Sequence, residues 1–286
     1  MEYFVSLAVL IGIYVILSSS FNLIIGFGGL ISIAHPIFFA IGAYTTGLLA
    51  IHFNLNPVLA VLCGGGLAFV ASIMLSLPSL RVSGDYLLIT SIGFQLGLLE
   101  IMKHLGITGG ASGLGGIPNI VHGSNRSAVF AVVSCAMAVV VVLFIRWLIN
   151  GPYGRAVSAM RDDELAFSTL GRNAMNIKLT IFAIGSGLAG IAGGIYAYYY
   201  QYVSPEQFEI LQSAMILTMV VVGGMGSHWG PVVGAMLLLI LPQAISFLNL
   251  PLSIMAPLQG VIFSLLVILF LFLRPQGLVA PRKRQH

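Results

Sequence analysis

The stretch GRAVSAMRDDELAFSTLGRN, Gly154–Asn173, carries six charges: Arg155, Arg161, Asp162, Asp163, Glu164 and Arg172. Only 7% of the 286 residues are charged, 58% are hydrophobic, and the mean hydropathy is +1.04. A soluble domain carries about 25% charged residues, so this chain cannot cover its surface for water. The charged stretch is therefore a piece left in water between segments that sit in lipid. Its position fixes how those segments are threaded.

A transmembrane helix needs roughly 20 mostly apolar residues. Such runs lie at 3–25, 29–53, 56–78, 85–105, 127–149, 177–203, 211–226, 230–248 and 253–273. They are continuous, unlike the short alternating segments of a membrane β-barrel. The expectation is an all-α, polytopic integral membrane helical bundle of about 8–10 transmembrane spans, folded as one domain over 1–286. The run Tyr3–Ile25 is too long for the apolar core of a signal peptide and reads as a retained span. Cys63 and Cys135 have neither metal-ligand nor redox spacing and read as small packing residues.

Cytoplasmic loops are enriched in Lys and Arg. Arg146, Arg155, Arg161, Arg172 and Lys178 gather about the loop 150–176, which places it in the cytoplasm with the basic tail Arg282–Arg284. An even number of crossings then separates the two, so 211–248 contributes two or none. Counting backwards puts Arg81 inside, and both the loop 106–126 and the N-terminus outside. Arg126 is an exception to the charge rule.

Two Gly-rich breaks interrupt the apolar pattern: GFGGLISIAHP, Gly26–Pro36, and GGMGSHWGP, Gly223–Pro231. Broken helices at membrane depth are tolerated where they are buried in protein or line a cavity. In transporters they often build the path. Both breaks contain a Gly pair, a Ser, a His and a Pro at different spacings; an internal repeat and chance similarity both account for this. A third Gly-rich stretch, Gly106–Pro118, reads either as a flexible connector or as a compact loop at the external mouth of a path.

Within the charged stretch, Asp162 can cap a helix that starts at Asp163. Asp163 and Glu164 suit its first turn, Gly171 can end it in the left-handed conformation, and Arg172 follows at the negative end. The expected helix is about eight residues long, with Ala166, Phe167 and Leu170 on one face. So short a helix is marginal in water and must be held by packing, on its own spans or in a partner's groove. The alternatives are a solvated loop and a helix docked on a cytoplasmic partner.

Seven stretches in family order resemble a known family. They are SIAHPIFFAIGAYT (Ser32–Thr45), LRVSGDYLLITSIGF (Leu80–Phe94), TGGASGLGGIP (Thr108–Pro118), GRAVSAMRDDELAFSTLG (Gly154–Gly171), YVSPEQF (Tyr202–Phe208), VVVGGMGSHWGPVVGA (Val220–Ala235) and LFLRPQGL (Leu271–Leu278). Together they resemble the LivM-type permeases of branched-chain amino acid ABC importers. The resemblance implies that 154–171 is a coupling helix seated in an ATP-hydrolysing subunit, through Arg155, Arg161, Asp162, Asp163, Glu164, Ala166, Leu170 and Gly171. The family often reads Glu-Asp-Glu where this chain has Asp162, Asp163 and Glu164, a conservative departure. It further implies a second related permease, two cytoplasmic ATP-binding subunits that hold the ATP and Mg, an extracytoplasmic substrate-binding protein, and residence in the inner membrane of a prokaryote with a cytoplasmic C-terminus.

The chain has no P-loop, so ATP chemistry belongs to partner subunits, and it shows neither a zinc-protease nor a nucleophile-elbow motif. That leaves no catalytic residues, resident cofactor or metal on this chain. No basic patch is interleaved with aromatics, so nucleic acid is not a partner. Glu100 is the candidate carboxylate within a span and is expected to reach towards the surface near Lys103. His35 and His228 sit in the breaks, where closing freed backbone groups is their expected role. The breaks and the resemblance together make Ser32, His35, Phe39, Tyr44, Gly223, Gly224 and Ser227 the candidate path residues for a zwitterionic amino acid. The competing reading is a stand-alone channel or ion-coupled secondary transporter for a small polar solute such as urea.

Overall fold

A computed structural model describes residues 2–79, 85–121 and 125–246, residues 261, 264, 265, 268 and 272, and residues 277–279. Arg81, the Arg282–Arg284 tail and most of the span 253–273 lie outside the described residues.

The protein is a polytopic helical membrane protein. Its helices are α1 (Glu2–Asn22), α2 (His35–Phe53), α3 (Pro57–Ser79), α4 (Asp85–His104), α5 (Arg126–Asn150), α6 (Pro152–Asp162), α7 (Glu164–Thr169), α8 (Ala174–Tyr200), α9 (Ile210–Gly223) and α10 (Gly230–Ser246). Among the described residues, seven helical segments are long and apolar enough to cross a membrane; α10 is shorter.

Small residues set the packing at the centre. Lipid tails are as apolar as leucine, so membrane helices associate through close van der Waals fit rather than through exclusion from water. A methyl group on Gly42 would collide with Gly190, one on Gly193 with the Phe39 carbonyl, and one on Gly64 would stand 2.8 Å from the Gly42 carbonyl oxygen. Helices α2, α3 and α8 therefore meet backbone to backbone. Around this seam pack buried Phe38, Phe39, Ile181 and Phe208. Cys63 and Cys135 are exposed on the outer surface rather than buried. An apolar run in a membrane protein faces lipid as readily as core, so its composition does not signal burial.

The connections fall at two ends. The charged loop marks one end, called here the loop end. The segment 25–32, the segment 224–229 and residues 277–279 all lie there. Leu278 N–H donates to the Val222 carbonyl (2.9 Å) and Val279 N–H to the Gly223 carbonyl (3.0 Å). The break at 223–230 thus joins two antiparallel helices, α9 and α10, packed so that Gly223 lies against Gly230 and Gly234. Within the 211–248 run, the described residues form two antiparallel helices that meet at the expected interruption.

At the far end, strands β1 (Leu114–Gly115) and β2 (Tyr202–Val203) pair antiparallel. Tyr202 Oη donates to the Ser112 carbonyl (2.7 Å), and Thr108 Oγ1 donates to the Met102 carbonyl (2.6 Å). The Gly106–Pro118 stretch is the compact alternative, not an untied connector. Arg126 also lies here. Its guanidinium donates to the Tyr199 carbonyl (2.6 Å) and the Tyr198 carbonyl (3.3 Å). These are the last carbonyls of α8, which lack partners inside the helix and carry its negative dipole end. Arg126 departs from the charge rule because it caps a helix.

Candidate functional site: a charged helix pair against two helix breaks

Pro152 follows Gly151 and opens α6 at its first helical position, where a missing N–H costs nothing. The helix runs eleven residues and buries Gly154, Val157 and Met160, spaced on one face. Tyr153 Oη donates to the Ile177 carbonyl (3.2 Å), fastening α6 to the start of α8. Burial pushes the Tyr153 phenol up to about 12, opposed by a hydrogen bond with Thr180.

Here the structure corrects the sequence reading. Asp163, not Asp162, is the cap: its Oδ1 accepts the Ala166 N–H (2.9 Å), and its backbone is extended. Asp162 is instead the last residue of α6. The helix that follows, α7, has six residues rather than about eight. Gly171 does close it, at φ +75°. The expected shared face also divides. Phe167 is buried with Met160 and Ala174, while Ala166 and Leu170 are exposed. Leu170 falls just past the helix end, so it does not follow the helical turn that carries Phe167 inward. Glu164 pairs with Lys178 (2.6 Å). The outward surface of the pair carries Arg155, Asp162, Asp163, Leu165, Ala166 and Leu170. Leu165 and Leu170 are 81% and 80% exposed.

Arg161 is half-exposed and bridges the two sides: its Nε lies 3.8 Å from Asp162 Oδ1, and its tip turns inward. Its Nη1 donates to the Gly26 carbonyl (2.8 Å), and its side-chain stem lies over Gly29, where φ is +68° and a Cβ would stand 2.7 Å from Arg161 Cγ. Gly26 belongs to a π-helical turn, Leu23–Phe27, that ends α1. Residues 28–34 then run without helix until α2 begins at His35, six residues later than the sequence pattern suggested. Leu30 N–H returns to the Ile24 carbonyl (3.2 Å) and Ile33 N–H to Ser91 Oγ (2.9 Å), so the break is tied down on both sides.

The two breaks touch through a residue the sequence reading missed. Asn22 is buried; its Oδ1 accepts the Gly226 N–H (2.9 Å) and its Nδ2 donates to the Ser227 carbonyl (2.9 Å). A lone Asn at the end of an apolar run was the available signal, since a polar amide there must find partners.

The path candidates are all buried. His35 Nε2 lies 2.9 Å from Ser20 Oγ, and its ring sits 4.9 Å from Phe21. Ser32 Oγ accepts from Ala34 N–H (3.4 Å). Phe39 packs edge-on against Tyr196 and Phe208. Tyr44 Oη donates to the Val203 carbonyl at the far end (3.3 Å). Ser227 Oγ donates to the Gly224 carbonyl (2.9 Å) and accepts from Gly230 N–H (2.8 Å). Gly223 and Gly224 are close-packed against Gly230 and Val279. The structure brings Ser32, His35, Gly223, Gly224 and Ser227 towards the loop end and leaves Tyr44 at the other. Glu100 is exposed on α4, with His104 Nδ1 3.5 Å away, whereas Lys103 pairs with Glu209 (3.4 Å).

With this geometry in hand, the class follows from sequence comparison: the chain belongs to the family described as branched-chain amino acid transport system / permease component, which matches residues 3–271. Among its relatives is the high-affinity branched-chain amino acid transport system permease protein LivM of Escherichia coli (strain K12), 33% identical over 308 residues, covering 98% of this chain and 71% of that one. The probable LivM of Methanocaldococcus jannaschii is 28% identical over 313 residues, covering 94% and 90%. The LivH protein of Escherichia coli (strain K12) is 23% identical over 292 residues, covering 93% and 91%. No solved structure matches significantly. The protein is thus a transport component; the channel or urea-carrier alternative draws no support from these relatives.

Proposed function

We propose that this chain is a permease subunit of a prokaryotic ABC importer for branched-chain amino acids, and that α6–α7 is the surface that receives an ATP-binding subunit. One observation carries the assignment. The pair is anchored from beneath by Met160, Phe167 and Ala174, yet it presents Leu165 and Leu170 to solvent among Arg155, Asp162 and Asp163. An apolar centre with a charged rim suits a protein partner, because the rim sets register and the centre supplies burial. ATP and Mg bind in two such subunits on the cytoplasmic side, where the C-terminus also lies.

A second related permease completes the path, and we assign α4 to it. This helix is far less apolar than α5 although both are largely uncovered. Its open face carries Tyr86, Thr90, Gly93, Gly97, Glu100 and His104. Nothing lies within 4 Å of a methyl group placed on Gly93 or Gly97. Polar groups are costly against lipid, and small residues admit a neighbouring backbone. An extracytoplasmic binding protein delivers and selects the substrate. Ser32, His35, Phe39, Tyr44, Gly223, Gly224 and Ser227 line the path only in a state in which the breaks open.

The test is a pull-down of the tagged chain from its own membrane, repeated with Leu165→Asp/Leu170→Asp. Both side chains are solvent-exposed, so the fold is spared. Two ATPase subunits and a second permease should accompany the wild type, and the variant should lose the ATPases alone. A chain that emerges by itself, or a variant that keeps its ATPases, refutes the assignment.

A further inference from the structure

Four pieces of chain distant in sequence converge at the loop end: the last turn of α6, the first break, the second break and residues 277–279. Their joints are hydrogen bonds. Arg161 Nη1 reaches the Gly26 carbonyl; Asn22 holds Gly226 N–H and the Ser227 carbonyl; Leu278 and Val279 N–H groups close the end of α9. The last carbonyls of a helix lack partners within it, and a guanidinium is a strong donor to such an oxygen. The first break is built to admit this side chain, since Gly29 has no Cβ to obstruct the Arg161 stem. A Cβ on Gly226 would lie 3.3 Å from the Gly26 carbonyl oxygen and 3.8 Å from Arg161 Nη1, so the guanidinium stands where the two breaks meet. The other fastenings of α6–α7 lead elsewhere: Tyr153 and Glu164 bind it to α8.

We propose that Arg161 is a positioning residue that carries movement of α6–α7 to both helix breaks, with Asn22 as the pivot that makes the breaks move together. The inference rests on the importer reading above. In it, the Arg161 tip reaches the spans at Gly26, while Asp162, whose Oδ1 lies 3.8 Å from Arg161 Nε, faces the ATPase with Leu165 and Leu170. A displacement of α6 by an ATPase subunit pulls on the end of α1 through Gly26. It pulls on the α9–α10 turn through Asn22.

The experiment uses the complete importer in vesicles and measures amino-acid uptake per ATP hydrolysed. Arg161→Met keeps the stem over Gly29 and removes the donor; Asn22→Ala removes the pivot. Each should retain its ATPase subunits and lower uptake per ATP by about tenfold or more, the range of coupling energies between sites. The double variant should be no worse than about threefold below either single, because the residues act in one chain of contacts. Arg161→Lys, which keeps a donor, should recover part of the ratio. An unchanged ratio in Arg161→Met overturns the proposal. So does a proportional fall of uptake and hydrolysis, or additive losses in the double variant. Release of the ATPase subunits by Arg161→Met overturns it too, since Arg161 would then be a docking contact. If the wild-type complex contains no ATPase subunits, the importer reading itself has failed.

Discussion

Replacing Gly190 by alanine tests the backbone seam on which the bundle rests. A Cβ at Gly190 would stand 2.6 Å from the Ala68 Cβ and 3.0 Å from both the Gly64 carbonyl oxygen and the Gly65 Cα. Comfortable carbon–carbon contact lies at roughly 3.5–4.0 Å, so α3 and α8 must separate by about 1 Å. None of the opposing atoms belongs to a flexible side chain that could swing away. Overpacking of this kind costs typically 1–3 kcal/mol, and the rigid opposition argues for the upper part, about 2–3 kcal/mol. Taking a shift of about 2–4 °C per kcal/mol for a large domain, the melting temperature should drop by roughly 4–12 °C. The assay is thermal unfolding of the purified chain in mild detergent. Gly66→Ala is the control, because nothing lies within 4 Å of its new methyl and alanine is the better helix former by about 1 kcal/mol. Gly66→Ala should melt at or slightly above the wild type. Equal melting temperatures for the two variants would refute the claim that α3 and α8 meet backbone to backbone.

Three further outcomes follow from the loop and its far-end counterpart. Asp163→Ala removes the α7 cap and should cost about 0.5–2 kcal/mol locally, seen as faster amide exchange at Ala166, whereas Asp162→Ala should leave that exchange unchanged. Arg126→Ala leaves the last α8 carbonyls bare and should cost about 1.5–3 kcal/mol, read as a lower melting temperature with ATPase association intact. Tyr153 is an acid whose folded pKa is raised above 10, so its contribution is complete below pH 10 and declines as pH climbs from 10 towards 12. An alkaline absorbance titration should show fewer phenolates at pH 11 than the unfolded chain, and Tyr153→Phe should narrow that difference by about one.

Much of the architecture was legible because lipid imposes few solutions. Apolar runs of span length become helices, and α3, α4, α5 and α8 fall within three residues of the expected boundaries. The charged loop likewise stands out by composition alone. What the sequence concealed lies where short-range signals compete. Asp162 and Asp163 are equally good caps in isolation. Pro152 had already started a helix that carries on to Asp162, which passes the capping position to Asp163. The π turn before the first break has no compositional mark, so α2 begins later than its apolar run. Arg126 looked like a misplaced charge because the carbonyls it caps are some seventy residues away.

The location of the breaks changes what they are for. Read along the sequence, a Gly-rich interruption inside an apolar run suggests a path at membrane depth. In space, Gly26 of the first break and Gly226 and Ser227 of the second gather at the end that carries the charged helices, where Arg161 and Asn22 engage their backbone groups. A substrate site needs groups free to exchange partners, whereas a joint needs groups already engaged. The engaged set lies at the loop end, around Asn22 and Gly26. On the open face of α4, Thr90 and His104 bond back to their own helix, at the Tyr86 and Glu100 carbonyls, and the face is left to a neighbour. In the importer reading, the joint therefore lies at the loop end, and the uncovered helix α4 is left to meet the second permease.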